Sequence, residues 1–167
     1  MIQVYTGNGK GKTTAALGLA LRASGAGLKV YICQFLIGKS YCELASLKKF
    51  KNIKVEQFGS TCFLRRSPQK KDIELAQAGF KAARKAIQAK CYSLVVLDEI
   101  NVALKLKLIE LEDVLRLIKG TPKEVELVLT GRSACPEILK IADLVSEIRE
   151  RKHYYRKGVR GRKGIEF

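Results

Sequence analysis

The segment GNGKGKTT, residues 7–14, follows directly on the apolar run 2–5 and opens a helical pattern over 13–24. A strand that runs into a glycine- and lysine-rich turn and then into a helix constrains the fold severely. The glycines allow successive backbone N–H groups to turn inward around anionic oxygens, and the helix N-terminus adds its positive dipole end. The ending Gly11-Lys12-Thr13 fits the phosphate-binding pattern G-x-x-x-x-G-K-[ST]. The first glycine does not: the pattern puts it at position 6, which is Thr6, whereas the glycine is Gly7 and Lys10 lies inside the loop. Lys12 is positioned to reach a terminal phosphate and Thr13 to offer its hydroxyl to Mg²⁺. The extra cation of Lys10 suits a highly charged polyphosphate. The competing reading, a turn with no ligand, does not account for a strand before it and a helix after it.

The rest of the chain alternates in the same way. Strands are expected at 29–35, 53–58, 93–97, 125–129 and 144–148, and helices at 72–90 and 111–119, with Pro136 opening a short helix at its first position. Residues 59–69 read as a long loop, with Pro68 inside it. Strands alternating with helices imply right-handed crossovers and a mostly parallel sheet covered on both faces, an α/β/α arrangement. Ligands in such sheets sit beyond the carboxyl ends of the strands. There the sequence places the Gly7 loop, Gln34-Phe35, the Gly59 loop, Asp98-Glu99 and Gly131-Arg132.

VVLDE, residues 95–99, is an apolar strand ending in two acids, a pattern that can hold Mg²⁺ directly or through water. The alternative is an acid that caps the next helix. Arg22, some three turns along the first helix, either contacts a nucleotide or faces solvent. Arg132 in TGR either clamps an anion or is a surface loop arginine.

At 167 residues the chain is read as one domain, residues 1–167, with a basic tail from about 149. A formal charge of +16 favours anionic partners without choosing among them. The tail, with Arg149, Arg151, Lys152, Arg156, Lys157, Arg160, Arg162 and Lys163, either tracks a phosphate backbone or is a solvated terminus. The five cysteines form no C-x-x-C and His153 is the only histidine, so neither a disulfide framework nor a His-based metal site is expected. With no secretory signal and no apolar run of about 18 residues, the expectation is a cytoplasmic chain with reduced thiols and no membrane span.

The segments VYTGNGKGKTTAALGLALRASGAG, VYICQFLIG, LVVLDEINVAL, LVLTGR followed by ADLVSEI, and KH…GVRGRKGIEF stand in this order over nearly the whole length. In this combination the chain resembles the ATP:corrinoid adenosyltransferases of cobalamin biosynthesis and salvage. The resemblance implies a RecA-like P-loop NTPase fold, a homodimer, and a reaction in which a Co(I) corrinoid attacks C5′ of ATP and releases the whole triphosphate. It implies that Gly7, Asn8, Gly9, Lys10, Gly11, Lys12, Thr13 and Thr14 hold the triphosphate. Thr13 and Glu99 would hold Mg²⁺, Arg22 would meet the ribose, and Arg132 the polyphosphate. Lys12 and Arg132 would act by positioning, with no covalent protein nucleophile. A flavoprotein reductase would supply the electron for Co(I).

The resemblance also assigns the corrinoid's lower face to apolar side chains of the loop after the third strand, here Cys62, Phe63 and Leu64. The family often carries a Trp in that loop; this chain has none, and Phe63 and Leu64 stand in its place. The first strand starts one residue into the chain, so the segment that covers the corrinoid in longer relatives is expected to be missing, with the alternatives of weaker corrinoid affinity, weaker water exclusion, or cover by another element. A second reading is a RecA-like ATPase or accessory module that binds nucleic acid through its basic surface; only Tyr154-Tyr155 offers aromatic stacking among the basic residues. A third is a small-molecule kinase, which would release ADP.

Overall fold

The computed structural model describes residues 1–39, 41–60 and 67–167. Six strands, β1 (Ile2–Thr6), β2 (Val30–Phe35), β3 (Ile53–Phe58), β4 (Leu94–Asp98), β5 (Glu126–Thr130) and β6 (Leu144–Glu147), form one sheet in the order β3-β2-β4-β5-β1-β6. Every pairing is parallel, so all the carboxyl ends lie along one edge. The fold is α/β, as expected. β2 and β4 are buried along their whole length, which is why they read as continuous apolar runs, whereas β6 at the sheet's edge is exposed at all four residues.

Side chains alternate between two apolar layers. One layer joins Val30, Ile32, Leu94, Val96 and Val128 to Ala16, Ala20 and Ala23 of α1 (Lys12–Gly25) and to Leu47 of α2 (Cys42–Leu47). The alanines recur at helical spacing, and their small side chains let α1 lie close against the strands. The other layer joins Tyr31, Cys33, Phe35, Val95, Leu97, Leu127 and Leu129 to α3 (Lys70–Gln88), α4 (Ile100–Lys105), α5 (Leu111–Lys119) and α6 (Pro136–Ile141). The sheet therefore carries helices on both faces.

The elements depart from the sequence expectations in particular places. The helix expected from residue 72 starts at Lys70, because Gln69 and Asp72 form a reciprocal capping box in which the Gln69 N–H donates to Asp72 at 2.8 Å. α2 and α4 have no counterpart among the expected helices; each has six residues, too few to display a helical period. The tail from 149 is not featureless: Tyr154–Lys157 forms a 3₁₀ turn whose start is capped by His153, Nδ1 accepting from the Tyr155 N–H at 3.1 Å. Cys62, Phe63 and Leu64 lie outside the described residues. The described cysteines are all free, and no helix among the described residues is long and apolar enough to cross a membrane.

Candidate functional site

β1 delivers the chain into the loop at Thr6, and α1 leaves it at Lys12. Between them, Gly7 has φ 96° and Gly11 φ 117°, the left-handed region that favours glycine. The displaced glycine has a local cause. The strand end of β6 crosses the loop here: the Ile148 N–H donates to the Thr6 carbonyl at 2.8 Å, and the Gly9 N–H donates to the Ile148 carbonyl at 2.7 Å. A Cβ on Gly7 would drive into that Ile148 carbonyl, so the close approach of backbone requires glycine at position 7. Thr6 is buried and uses its hydroxyl to accept the Ala134 N–H at 3.3 Å, a task a glycine cannot perform.

Lys12 is 6% exposed and turns back into the loop, donating to the carbonyls of Gly7 and Gly9, each at 2.7 Å. Burial pulls its pKa down, and Arg132 adds to this, against the opposing pull of Glu99 and Asp98. A cation so placed gains by exchanging two neutral carbonyls for anionic oxygens.

The acids ending β4 differ sharply. Asp98 is the hub of a buried polar network. Its Oδ1 accepts from the Thr13 hydroxyl at 2.9 Å and the Thr130 hydroxyl at 2.7 Å, and its Oδ2 from Gln34 Nε2 at 3.1 Å. Thr130 in turn accepts the Glu99 N–H at 3.0 Å. Glu99 leaves the strand with φ 63°, which for a non-glycine is a strained conformation. Its Oε2 is buried with no hydrogen-bond partner. Burial first, and then the Asp98 charge, push its pKa up to about 7, against the opposing effect of Lys12 and Arg132.

These groups fit a magnesium ion. The Thr13 hydroxyl and two carboxylates are hard oxygen donors, and the orphaned Glu99 oxygen is an acceptor in need of a partner. Mg²⁺ is commonly bound by one or two carboxylates, with substrate phosphates and water completing its shell. It does not require a cluster of three or more His, Cys, Asp or Glu ligands, and none occurs among the described residues.

A cavity of about 800 Å³ opens beyond these strand ends. It brings together Lys10, Gly11, Lys12, Thr13, Thr14, Glu99 and Arg132, residues far apart in the chain. Gly7 and Gly9 reach it through their carbonyls on Lys12; Asn8 is exposed. Arg22 is not brought in: it is exposed on α1, eight residues past Thr14 and so about 12 Å further along the helix axis. The rest of the lining is mixed: Leu17, Ile37, Tyr41, Val102, Ile165 and Phe167 are apolar, and Glu43, Ser46, Lys105 and Glu166 are polar or charged.

Sequence reasoning missed three parts of this site. It did not single out Asp98 over Glu99 as the partner of Thr13, nor Gln34 and Thr130 as the groups that orient Asp98. It also missed the tail, whose residues Gly164, Ile165, Glu166 and Phe167 form one wall of the cavity. The only signal was the segment GIEF, which carried the resemblance without a role attached. The tail carries local acid pairs, Arg149 with Glu147, Arg156 with Glu150, and Arg162 with Glu166, and it is joined to the rest of the protein by Lys10 and by Tyr41 against Phe167.

Comparison with known proteins identifies the family. The family model described as ATP:corrinoid adenosyltransferase BtuR/CobO/CobP matches residues 1–167. The corrinoid adenosyltransferase of Pseudomonas aeruginosa is 37% identical over 169 residues, covering 100% of this chain and 83% of that protein. The corrinoid adenosyltransferase of Escherichia coli K12 is 31% identical over 167 residues, covering 100% and 85%. Among solved structures, a KaiC-like protein from Pyrococcus horikoshii aligns with a TM-score of 0.57 at 19% identity, covering 90% of this chain and 74% of that one, a likeness of fold.

Proposed function

The chain belongs to the ATP:corrinoid adenosyltransferase family, and from that premise we propose that its cavity brings the C5′ carbon of ATP to a Co(I) corrinoid and releases intact triphosphate. Adenosyl transfer to a corrinoid is the activity of the family; the Co(I) chemistry and the leaving group are the proposal. The observation that carries it is one cavity lined both by a cationic phosphate cradle and by apolar side chains, with Glu43, Ser46 and Lys105 among them. The cradle suits a polyphosphate. The apolar side chains of the lining, Leu17, Ile37, Tyr41, Val102 and Phe167, suit contact with an apolar part of a second substrate that ordinary phosphoryl transfer does not need.

In this reaction the cobalt electron pair forms the Co–C5′ bond as the C5′–O bond breaks, and the oxygen leaves with its electron pair on the triphosphate. Cobalt passes from Co(I) to Co(III), and no proton need move. The protein's part is then to orient and to neutralise. The backbone N–H groups of the loop from Gly7 to Thr14, apart from that of Gly9, which is held by the Ile148 carbonyl, would with Lys10, Lys12 and Arg132 hold the triphosphate in the charge state in which it departs. Thr13, Asp98 and Glu99 would hold Mg²⁺, which neutralises phosphate charge when bound. Arg22 reaches the ribose only if the nucleotide extends along α1, away from the cavity; the geometry favours Arg132 as the working arginine. Cys62, Phe63 and Leu64 remain the proposed corrinoid contacts. The enzyme would act as a homodimer and take its electron from a flavoprotein reductase, an acidic partner drawn by the charge of +16.

The test is anaerobic. Protein, Mg-ATP and chemically reduced Co(I)-cobalamin are mixed and the visible spectrum is followed. Conversion to the spectrum of an alkyl-cobalt corrinoid, dependent on ATP and abolished in Lys12→Ala, is the expected result. A spectrum that stays that of Co(I) while ATP is bound removes the proposal.

A further inference from the structure

The tail's side-chain contact with the phosphate loop is made through a lysine. Lys10 Nζ donates to Tyr154 Oη at 3.1 Å, to the Ile165 carbonyl at 3.1 Å and to Glu166 Oε1 at 3.0 Å. A lysine on a glycine-rich loop has a flexible four-carbon stem and no neighbour on its own segment to restrain it. Here three acceptors, all from the far end of the chain, fix it at the wall of the cavity.

The acceptors are themselves fixed. The Glu166 carboxylate accepts from the Tyr154 hydroxyl, from the Arg162 backbone N–H at 2.6 Å and from the Arg162 guanidinium. Arg162, then Tyr154, hold the Glu166 carboxyl well below the usual carboxylate range, so it stays ionised across the neutral range. The Tyr154 ring has the Arg162 guanidinium 4.9 Å and the Lys10 ammonium 5.8 Å from its centroid. Beyond Glu166, Phe167 packs against Tyr41 with ring centroids 6.4 Å apart, and both line the cavity. Glu166 is a carboxylate at the edge of a site built for an anion. A group there repels a polyphosphate unless it serves a cation that binds one.

We propose that Glu166, supported by Tyr154 and Arg162, is a positioning residue that sets Lys10 for the polyphosphate of ATP. The tail is thus part of the nucleotide site, and residues 164–167 complete a cavity that the sheet and the phosphate loop leave open on one side. Glu166 acts through Lys10 and does not itself touch the substrate. This rests on the reading of the loop as the triphosphate cradle. It does not depend on corrinoid chemistry, and its test uses none.

The experiment is a double-mutant cycle on the full chain, with Mg-ATP affinity measured by calorimetric titration without corrinoid. Lys10→Ala and Glu166→Ala are each expected to weaken ATP binding about tenfold, the scale of a single charge-assisted hydrogen bond. The double variant should bind no more weakly than Lys10→Ala alone, because Glu166 acts only through Lys10. Glu166→Gln, which keeps an acceptor for Lys10, should recover binding to within about threefold of the original chain. Additive losses in the double variant would show that the tail supports the site by some other route, and would overturn the proposal. So would ATP binding in Glu166→Ala that is unchanged or tighter. If ATP binds as expected in this cycle but no Co–C bond forms in the spectral assay, the corrinoid reading fails and this one stands.

Discussion

The Thr13 hydroxyl meets the Asp98 carboxylate at 2.9 Å, joining the first turn of α1 to the last residue of β4 across the mouth of the phosphate loop. The same carboxylate is held by Thr130 from β5 and Gln34 from β2, so one buried acid ties together three strands and the loop's helix. Holding Asp98 almost wholly out of water, at 1% exposure, costs stability for the sake of a charge.

Asp98→Asn tests that cost. The amide keeps an oxygen for the two threonine hydroxyls and removes the buried charge, but its NH₂ faces the Gln34 Nε2 that donates to Asp98. The two effects oppose, and the melting temperature is expected to stay level. The ability of Mg²⁺ to tighten ATP binding should fall by about 100-fold, the scale of disabling a metal site. Thermal unfolding and ATP titrations with and without Mg²⁺ read both effects.

Glu99 makes a pH prediction for the protein free of metal and nucleotide. Its folded pKa, about 7, lies above the ordinary 4.5. Between those values the folded state keeps a proton that the unfolded state has released, so stability falls as pH rises through this window. The cost is fully present above pH 7 and amounts to roughly 3 kcal/mol at about 1.36 kcal/mol per pH unit. Glu99→Gln removes it. The variant should be the more stable protein at pH 8, with the two denaturant curves converging near pH 4.5.

The phosphate loop is legible as a loop of this kind from Gly11, Lys12 and Thr13 alone, and the sheet from its apolar strands, because both depend on neighbours in sequence. The order of strands, and the pairing of β1 with β5 and β6, required the structure. Asp98 and Glu99 are adjacent and chemically alike. Which one meets Thr13 is decided by the left-handed turn at Glu99, which no local pattern announces. The contact of Lys10 with Glu166 spans 156 residues and follows only from the tail's return path across the cavity. α2 and α4 escape notice because six residues make under two turns.

Lys12→Ala removes the cation that closes on the loop's own carbonyls. ATP binding is expected to weaken at least about 100-fold, since a cation paired with phosphate inside a buried loop is removed. Lys12→Arg should not restore it, because the guanidinium is too broad for the space between the Gly7 and Gly9 carbonyls. Calorimetric titration with Mg-ATP checks both.

Two glycines separate loop geometry from general helix effects. Gly7→Ala sets a Cβ against the Ile148 carbonyl at a left-handed φ of 96° and should cost on the order of 2 kcal/mol together with ATP binding. Gly18→Ala, on α1 where a Cβ meets nothing within 4 Å, should raise stability by about 0.5–1 kcal/mol and leave ATP binding intact. Chemical denaturation of the two variants beside the original protein decides the contrast.

In the proposed reaction the loop holds a triphosphate as a leaving group, which sets it apart from a loop that cleaves between phosphates. ATP carrying ¹⁸O at the bridging position between C5′ and the α-phosphorus, incubated anaerobically with the protein, Mg²⁺ and Co(I)-cobalamin, identifies the bond that breaks. Recovery of the label in intact triphosphate, one equivalent for each Co–C bond formed, is the predicted result. Label retained on the nucleoside, with ADP and phosphate as products, would mean that the loop cleaves a phosphate bond, and would contradict the proposed reaction.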